Sequence, residues 1–408
     1  MAAAAPGPLA GARVVELSHI MAGPVCGLML ADLGADVLKI ERLPSGDDSR
    51  RMVPPTVGGE SAAFMMMNRN KRGIALDLRR PEGIAAVRRL AASADVLVEN
   101  FRRGAMERMG LGYETLHAEN PRLVYCSISG YGRSGPLADR GGFDLVAQGM
   151  SGLMSITGEG PGRPPVKVGA PVTDIGAGIL AALGVVAAYA HRLRTGEGQQ
   201  VETSLFEAGL VQTYWQAAIC MATGVAPGAM GSAHPLNAPY QAFETSDGWV
   251  NVGAANQRNW LALVGAIGVP ALGADPRFAD NAARMAHLDA LAAALAPLFR
   301  RRTTAEWLAA LDAAGVPAGP VLSIAEVLEH PQTMARDMVP EVEHATLGRV
   351  RTLGLPLKLS ATPGGVGRGA PLLGEHTREV LREHGYSEGE IDALVAAGAA
   401  LDGAGQRK

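Results

Sequence analysis

The feature that most constrains the fold is an alternation of short apolar runs with helical segments over the first third of the chain. The runs "ARVVEL", "ADVLKIE", "GIALDL", "DVLVENF" and "RLVYCSISGYG" each predict a buried strand, and helical stretches such as "GIAAVRRLAASA" separate them. Strands spaced by helices of this length predict an α/β fold with a parallel sheet and helices on both faces. No G-x-G-x-x-G motif is present, so the sequence does not support an ordinary dinucleotide site.

The length of the chain predicts two domains. Its 408 residues are too many for one ordinary compact core. We predict a large sheet domain from residues 1–205 and 322–408, a linker at 206–230, and a smaller α+β domain at 231–321. Between Glu207 and Glu244 the chain carries no Asp, Glu, Lys or Arg. A solvated linker would be polar, so this stretch is predicted to run through a protein interface.

The net charge and the cysteine content indicate which binding partners and which cellular compartment to expect. The net charge of −3 gives no reason to expect nucleic acid or an anionic membrane as a partner. The three widely spaced cysteines, Cys26, Cys126 and Cys220, form no zinc pattern or disulfide framework and favour the cytoplasm. The N-terminus has no signal-peptide pattern. The apolar stretch Ile175–Ala190 is short for a membrane span and predicts a buried core helix.

One acidic residue stands in unusual surroundings. Asp174 is the only formal charge between Lys167 and Arg192, and glycine, alanine and apolar residues surround it. Pro171 precedes a helix that is predicted to open near Ile175, so Asp174 suits a helix N-cap. The same position also suits a nucleophile, because a helix N-terminus keeps a carboxylate ionised and glycines allow an activated acyl group to approach. Both interpretations stay open from these residues alone.

Arginines concentrate in the predicted sheet domain. Most follow a strand run, where open α/β sheets place ligands, and arginine suits phosphate recognition. The alternative is an ordinary solvated surface, which is favoured for any single arginine. The set comprises Arg42, Arg50, Arg51, Arg72, Arg79, Arg102, Arg103 and Arg108.

Two further polar residues are weaker candidates. Asp144 lies in "GGFDLVAQGMSG" and His234 in the charge-free "GSAHPLNAPYQAF". A structural role would also explain each residue: Asp144 as a cap and His234 as a packed ring. The sequence contains no H-E-x-x-H, G-x-S-x-G, P-loop or Cys/His metal spacing, so metal hydrolysis, serine hydrolysis and nucleotide hydrolysis have no support.

These pieces, in this order, resemble the family III CoA-transferases. The matching stretches include "LAGARVVELSHIMAGPVCGLMLADLGADVLKIERLPSGDDSR", "NRNKRGIALDL", "DVLVENFRRGAMERMGLGYE", "SGYGRSGPLADRGGFDLVAQGMSGLM", "VTDIGAGILAALG", "HPLNAPYQAF" and "PLLGEHTREVL". The resemblance covers nearly the whole chain. It implies a Rossmann-like large domain, a smaller domain and an interlocked homodimer in which each chain threads through the other.

The resemblance also implies a mechanism and a set of site residues. Asp174 matches the nucleophile that exchanges acyl groups and CoA with acyl-CoA and carboxylic acid substrates, without a metal and without a permanently bound cofactor. "GSAH", with Gly231 and His234, stands near an active-site loop of the family. Positions that match or adjoin CoA contacts are His19, Met21, Ala22, Arg42, Leu76, Asp77, Leu78, Arg79, Asn100, Phe101, Arg102, Arg108, Gly141, Gly142, Phe143 and Asp144.

Departures from the family pattern bear on the substrate. Formyl-CoA transferase has a glutamine at the position of Met21, and methionine cannot donate the same hydrogen bonds. The pattern therefore resembles members that use succinyl-CoA and other dicarboxylates rather than oxalate. One rival is 2-methylacyl-CoA racemase of the same family, but Phe143 occupies its histidine position and cannot move protons. The other rival is a non-catalytic CoA-binding protein, against which the intact Asp174 argues.

Overall fold

The computed structural model describes residues 7–403, and a seven-stranded sheet lies at the centre of its larger unit. The strand order is β14-β5-β2-β1-β6-β7-β8, and every neighbouring pair is parallel except β14 with β5. The described strands are β1 (Arg13–Leu17), β2 (Asp36–Arg42), β3 (Thr56–Val57), β4 (Glu60–Ser61), β5 (Arg72–Leu76), β6 (Val96–Glu99), β7 (Val124–Ser129), β8 (Gln200–Ser204), β9 (Tyr240–Glu244), β10 (Trp249–Gly253), β11 (Ala318–Pro320), β12 (Glu341–His344), β13 (Gly348–Arg351) and β14 (Ala400–Leu401). The predicted mixed α/β fold with a mostly parallel sheet is confirmed.

Helices account for most of the remaining regular structure. The described α-helices are α1 (Ala22–Asp32), α2 (Ala62–Asn68), α3 (Pro81–Ser93), α4 (Ala105–Arg108), α5 (Tyr113–Glu119), α6 (Asp144–Met150), α7 (Leu153–Ile156), α8 (Val172–Thr195), α9 (Leu205–Val211), α10 (Tyr214–Thr223), α11 (Gln257–Ala266), α12 (Asn281–Ala286), α13 (Leu288–Phe299), α14 (Thr304–Ala313), α15 (Ile324–Leu328), α16 (Pro331–Ala335), α17 (Thr377–Glu383) and α18 (Glu388–Ala396). Short 3-10 helices span Asp48–Arg51, Pro270–Ala274 and Pro276–Phe278.

Helices cover both faces of the large sheet, as a doubly wound fold requires. One apolar core joins α1 and α8 to the sheet through residues such as Cys26, Val98 and Ala181. The opposite core joins α3, α17 and α18 through residues such as Leu90 and Val380. Strand β1 lies between β2 and β6, and the chain moves in opposite directions from it. Ligands of open α/β sheets bind at such a reversal, beyond the carboxyl ends of the strands.

The chain forms two compact units. The larger unit contains the described residues up to 151, residues 169–212 and those from 331 onward, and the smaller contains residues 152–168 and 213–330. The smaller unit has its own three-stranded antiparallel sheet, β11-β10-β9, and a core with Trp260, Phe278 and Phe299. Helices α9 and α10 occupy much of the stretch predicted as a linker.

Helix α8 is longer than the apolar run in the sequence indicated. It spans 24 residues, and among residues 7–403 it is the one helix whose length and hydropathy would suffice to cross a membrane. Its small residues, among them Ala177, Ala181 and Val185, are buried in the core against the sheet. The predicted core helix is therefore present, with one face packed inward and residues such as Leu183 exposed on the other.

Candidate active site

The site is built around the N-terminus of α8. The helix begins at Val172, with Pro171 as an N-cap that makes no side-chain hydrogen bond, so Asp174 lies in the first turn rather than at the cap. The predicted helix start near Ile175 is therefore wrong, and so is the capping role for Asp174. The reason is that another element supplies the cap.

Asp144, the first residue of α6, caps helix α8 from outside. Its Oδ1 accepts hydrogen bonds from the Thr173 backbone N–H at 3.0 Å and from the Thr173 hydroxyl at 2.7 Å. Its Oδ2 accepts one from Nε2 of the fully buried Gln148 at 2.8 Å. Both carboxylate oxygens of Asp144 are thus fixed, and a first-turn N–H group of α8 is satisfied without Asp174.

Asp174 is a largely buried carboxylate with no direct partner. It makes no hydrogen bond or ion pair with any other residue in the described range 7–403. Burial, and secondly the negative charge of Asp144, raise the pKa of Asp174 from about 3.8 to about 6. Such a shift without a compensating partner is typical of functional carboxylates, since a structural one would gain nothing from it.

Helix α8 lies directly against the segment that follows β1. A Cβ atom on Gly178 would come within 2.6 Å of the Ala22 carbonyl oxygen and 2.7 Å of the Val25 side chain. Only glycine permits this approach. Gly178 is one helical turn beyond Asp174, which corresponds to about 6 Å along the axis. The structure therefore brings Asp174 close to Ala22, the first residue of α1, and to the loop that ends at Met21.

The loop after β1 is joined to the loop after β6. Asn100 accepts a hydrogen bond from the His19 N–H at 3.0 Å and donates one to the His19 carbonyl at 2.9 Å. The rings of His19 and Phe101 lie 6.0 Å apart. Burial lowers the pKa of His19, and the charges of Asp47 and Asp48 oppose this shift. Predicted site residues from two separate strand ends thus meet at the reversal point of the sheet.

Two arginines converge on one carboxylate beside this junction. Arg42 and Arg51 both form ion pairs with Asp48, whose other oxygen lies 3.6 Å from His19 Nδ1. About half of each arginine side chain is exposed, at 52% and 54%. Two guanidinium groups facing one carboxylate leave a positive excess, which suits a phosphate. Arg102 lies near Gly141, where a Cβ would be 3.4 Å from its guanidinium.

Two other arginines of the predicted set form ion pairs with a structural role. Arg72 opens β5 at the amino edge of the sheet and forms ion pairs with Asp36, Glu379 and Glu383. Arg50 is bound to Glu41 at 2.7 Å. The expectation that ligand-site arginines follow strands is therefore wrong for Arg72, because the strand begins at that residue.

The other arginines and the Leu76–Arg79 segment are less directly connected to Asp174. Leu76 is fully buried in the core, and Arg79 is 76% exposed and pairs with Asp77 at 2.8 Å. Arg103 lies 3.4 Å from Asp139. Arg108 lies near Gly104, where a Cβ would be 3.0 Å from its guanidinium.

The glycine segment before α6 is closely packed. A Cβ on Gly142 would lie 2.4 Å from the Cα of Gly130, at the end of β7, so the two backbones are in contact. Phe143, by contrast, is 69% exposed. This packing positions Asp144 at the start of α6, directly beside α8.

Comparisons with known proteins identify the family of the chain. The model of CoA-transferase family III matches residues 9–377. The chain belongs to CoA-transferase family III. It is 37% identical over 392 residues to the mouse succinyl-CoA:glutarate CoA-transferase, covering 96% of this chain and 90% of that protein. It is 40% identical over 385 residues to the acetyl-CoA:oxalate CoA-transferase of Acetobacter aceti, covering 94% and 97%.

A solved structure supports the same assignment. The crystal structure of a CAIB/BAIF family protein from Brucella suis matches with a TM-score of 0.82 at 41% identity, covering 93% of this chain and all of that one. The predicted family and the predicted enzyme class are both confirmed. The chain is a CoA-transferase.

In the smaller unit of the transferase, His234 has one defined hydrogen-bonding arrangement. Its Nδ1 accepts the backbone N–H of Leu236 at 3.1 Å, so in the neutral ring Nε2 carries the proton. Its ring packs edge-on against Trp215 and Tyr240, with centroids 6.1 and 5.2 Å away. The ring is therefore oriented by packing, with Nε2–H as its donor.

Gly231 lies three residues before His234, in the same loop between α10 and β9. Its φ of 61° is in the left-handed region, and its N–H donates to the Gly158 carbonyl at 2.9 Å. Gly231 and Ser232 line a cavity of about 640 Å³ together with Glu159 and Arg163. The structure thus places Gly231 beside an open cavity within this unit.

Sequence reasoning missed several groups that shape the site. Thr173 and Gln148 hold Asp144, and no local sequence pattern predicts this role for them. A buried charge network below the loop after β1 was also missed, although "ADVLKIE" and "NRNKRG" gave a signal. Lys39 and Lys71, two of the five lysines in the chain, are fully buried, and both pair with Glu16. A buried lysine is rare unless its charge is paired.

Proposed function

We propose that this CoA-transferase moves CoA from succinyl-CoA to a second dicarboxylic acid of the size of glutarate, with Asp174 as the nucleophile. The observation that carries the proposal is a largely buried, unpartnered carboxylate in the first turn of α8. The named activity of the mouse relative supports the donor and acceptor. Met21 favours a dicarboxylate other than oxalate, since it cannot donate the hydrogen bonds of a glutamine.

The proposed reaction begins with attack of an Asp174 carboxylate oxygen on the thioester carbon of the donor. The C–S bond breaks, CoA leaves as a thiolate, and a mixed anhydride forms. The thiolate then attacks the aspartyl carbonyl, which releases the donor acid as a carboxylate and leaves an aspartyl-CoA thioester. The acceptor carboxylate attacks this thioester and expels the thiolate. The thiolate finally attacks the acceptor acyl group, giving the new acyl-CoA and free Asp174.

The electrostatics of Asp174 suit this role. With a pKa of about 6, the carboxylate is ionised at neutral pH, yet it is more basic than an ordinary aspartate. Greater basicity makes the oxygen a better nucleophile, and partial desolvation removes water that would otherwise compete. The location in the first turn of α8 keeps the ionised form accessible, because the helix dipole favours negative charge there.

We further propose that the transferase acts as an interlocked homodimer. Helix α10 has no buried residue in the single chain although its sequence is apolar. Tyr214, Trp215 and Met221 are 72%, 60% and 87% exposed, and Leu183 of α8 is 65% exposed. Apolar surface of this extent is typical of protein interfaces. Size-exclusion chromatography with light scattering tests the proposal, and a monomer at micromolar concentration would refute it.

The test of the reaction uses succinyl-CoA with glutarate, oxalate and a monocarboxylate such as butyrate. New CoA thioesters are identified by mass, and we expect glutaryl-CoA to form fastest. Hydroxylamine added during turnover should convert Asp174 to a hydroxamate, which peptide mass spectrometry can locate. Asp174→Ala should lose transfer, whereas Asp139→Asn, which changes an exposed carboxylate, should keep it.

The results distinguish the alternatives. Full transfer by Asp174→Ala would eliminate Asp174 as the nucleophile. Preference for oxalate would refute the acceptor class but leave the mechanism standing. Deuterium uptake at the α-carbon of a 2-methylacyl-CoA without any acceptor acid would point to racemisation instead.

A further inference from the structure

The loop between β1 and α1 is clamped by its backbone at three consecutive residues. Lys39 Nζ donates to the Ser18 carbonyl at 3.0 Å. Asn100 binds both the N–H and the carbonyl of His19. Asp47 Oδ1 accepts the Ile20 N–H at 3.0 Å. Because side chains from several different segments bind so short a loop, we infer that the loop would not keep this conformation without them.

Ile20 shows why the clamps are needed. Its φ is 67°, in the left-handed region. A β-branched residue there is strained, because its side chain crowds the backbone. The other described non-glycine residues with positive φ are Asn70 and Asp337, which belong to residue types that tolerate this region. A strained isoleucine persists only where its surroundings hold it.

The Lys39–Asp47 ion pair holds Ile20 from the protein interior. Lys39 Nζ lies 2.9 Å from Asp47 Oδ2 and 3.1 Å from Glu16, and all three side chains are at most 1% exposed. Burial opposes ionisation of Asp47, but Lys39 and the N–H groups of Ser49 and Ile20 outweigh it and lower the pKa of Asp47.

A buried ion pair is a poor way to gain stability, since well-packed apolar residues often do as well. Fixing the geometry of a loop is a better reason for its presence. The Ser49 N–H and hydroxyl also donate to Asp47 Oδ1, at 2.8 and 2.7 Å, so the oxygen that holds Ile20 is itself held. The buried Lys39–Asp47 pair therefore holds the backbone of Ile20 in place.

The clamped loop leads directly to the candidate site. His19 and Met21 flank Ile20, and the Ala22 carbonyl lies against Gly178 of the helix that carries Asp174. We propose that Lys39 and Asp47 are positioning residues, which hold Ile20 in the left-handed conformation so that His19, Met21 and Ala22 are preorganised for coenzyme A. This inference rests on the proposed function and on the prediction, from the family resemblance, that these three residues match or adjoin contacts to coenzyme A.

The test is a double-mutant cycle on coenzyme A binding, measured by calorimetry. Asp47→Asn is made in the wild type, in Ile20→Ala and in Ile20→Gly. Glycine adopts the left-handed region without strain, whereas alanine shortens the side chain but remains strained. We expect Asp47→Asn to raise the Kd of coenzyme A about tenfold in the first two backgrounds and less than about threefold in Ile20→Gly.

A kinetic measurement separates positioning from general loss of structure. Asp47→Asn should raise KM for the acyl-CoA more than it lowers kcat, because a saturating substrate can reorder the loop. If Asp47→Asn does not fold, Ser49→Ala loosens the same carboxylate by removing one hydrogen bond. It should show the same pattern at about two- to fivefold.

The outcomes distinguish this inference from the proposed function. Equal effects of Asp47→Asn in the alanine and glycine backgrounds would overturn the inference, and so would unchanged binding by Asp47→Asn. If the wild type itself does not bind coenzyme A, the proposed function fails first. A recovery confined to the Ile20→Gly background supports the inference.

Discussion

Replacement of Asp174 by asparagine should abolish transfer and at the same time stabilise the protein. The folded state raises the pKa of Asp174 from about 3.8 to about 6, so it binds this proton more tightly than the unfolded chain does. Ionising the group therefore costs stability progressively as the pH rises from about 4 to about 6. A neutral asparagine of the same shape avoids that cost.

The magnitude follows from the shift. About 2 pKa units correspond to about 3 kcal/mol at neutral pH. Because the side chain keeps some contact with solvent, we expect about 2 kcal/mol after allowing for screening. For a protein of this size that is a rise in Tm of about 2–3 °C. At about pH 5 the gain should be roughly half as large, since the wild-type carboxyl is then mostly protonated in the folded state.

The assay is thermal unfolding of the wild type and variants at about pH 5, 6 and 7.5. Asp174→Ala provides a second neutral variant. The gain in its Tm should depend on pH in the same way, but its Tm should be lower throughout because the smaller side chain loses packing. Asp139→Asn, at a side chain that is 86% exposed, is the control and should show no pH-dependent gain. A gain that is constant from pH 5 to 7.5, or no gain at all, would refute the reasoning.

Three further predictions test the surroundings of Asp174. Asp144→Asn should move the acid limb of the kcat/KM profile down by about one pH unit, because only burial then raises the pKa of Asp174. A limb that stays in place contradicts this. Arg42→Ala should raise KM for the acyl-CoA about tenfold at low salt and less at high salt, as loss of a phosphate contact requires. Gly178→Ala should cost about 1–3 kcal/mol in denaturant unfolding through overpacking. Gly265→Ala, at a helical position with no atom within 4 Å of the new Cβ, should instead stabilise by about 0.5–1 kcal/mol.

The central sheet could be predicted from the sequence because each inner strand contains a short run of apolar residues. β1, β2, β5, β6 and β7 are the five runs that the sequence indicated. The edge strands were harder to predict from the sequence. β8 reads QVETS and is only partly buried, and β14 has two residues. Edge strands carry polar or short sequences, so composition does not distinguish them from loops.

The candidate site could be predicted in part. Asp174 stood out because it is a lone charge in an apolar segment, but the cap of its helix could not be located. Asp144 lies 30 residues earlier in the chain, and only the fold brings it to Thr173. The same limitation applies to Arg72, whose ion pairs involve α17. The domain boundaries, the roles of individual site residues and the cytoplasmic location stay predictions.

The division of labour between Asp144 and Asp174 has a physical rationale. A carboxylate that caps its own helix uses its oxygens to accept backbone N–H groups, which lowers its pKa and its nucleophilicity. Here Asp144 accepts the Thr173 N–H and hydroxyl, so the lone pairs of Asp174 remain available for the proposed attack. The same arrangement places two negative charges near each other and raises the pKa of Asp174. Capping by a neighbour thus leaves Asp174 a free and more basic carboxylate, as the proposed nucleophile requires, and the loss of folding stability is the consequence of that geometry.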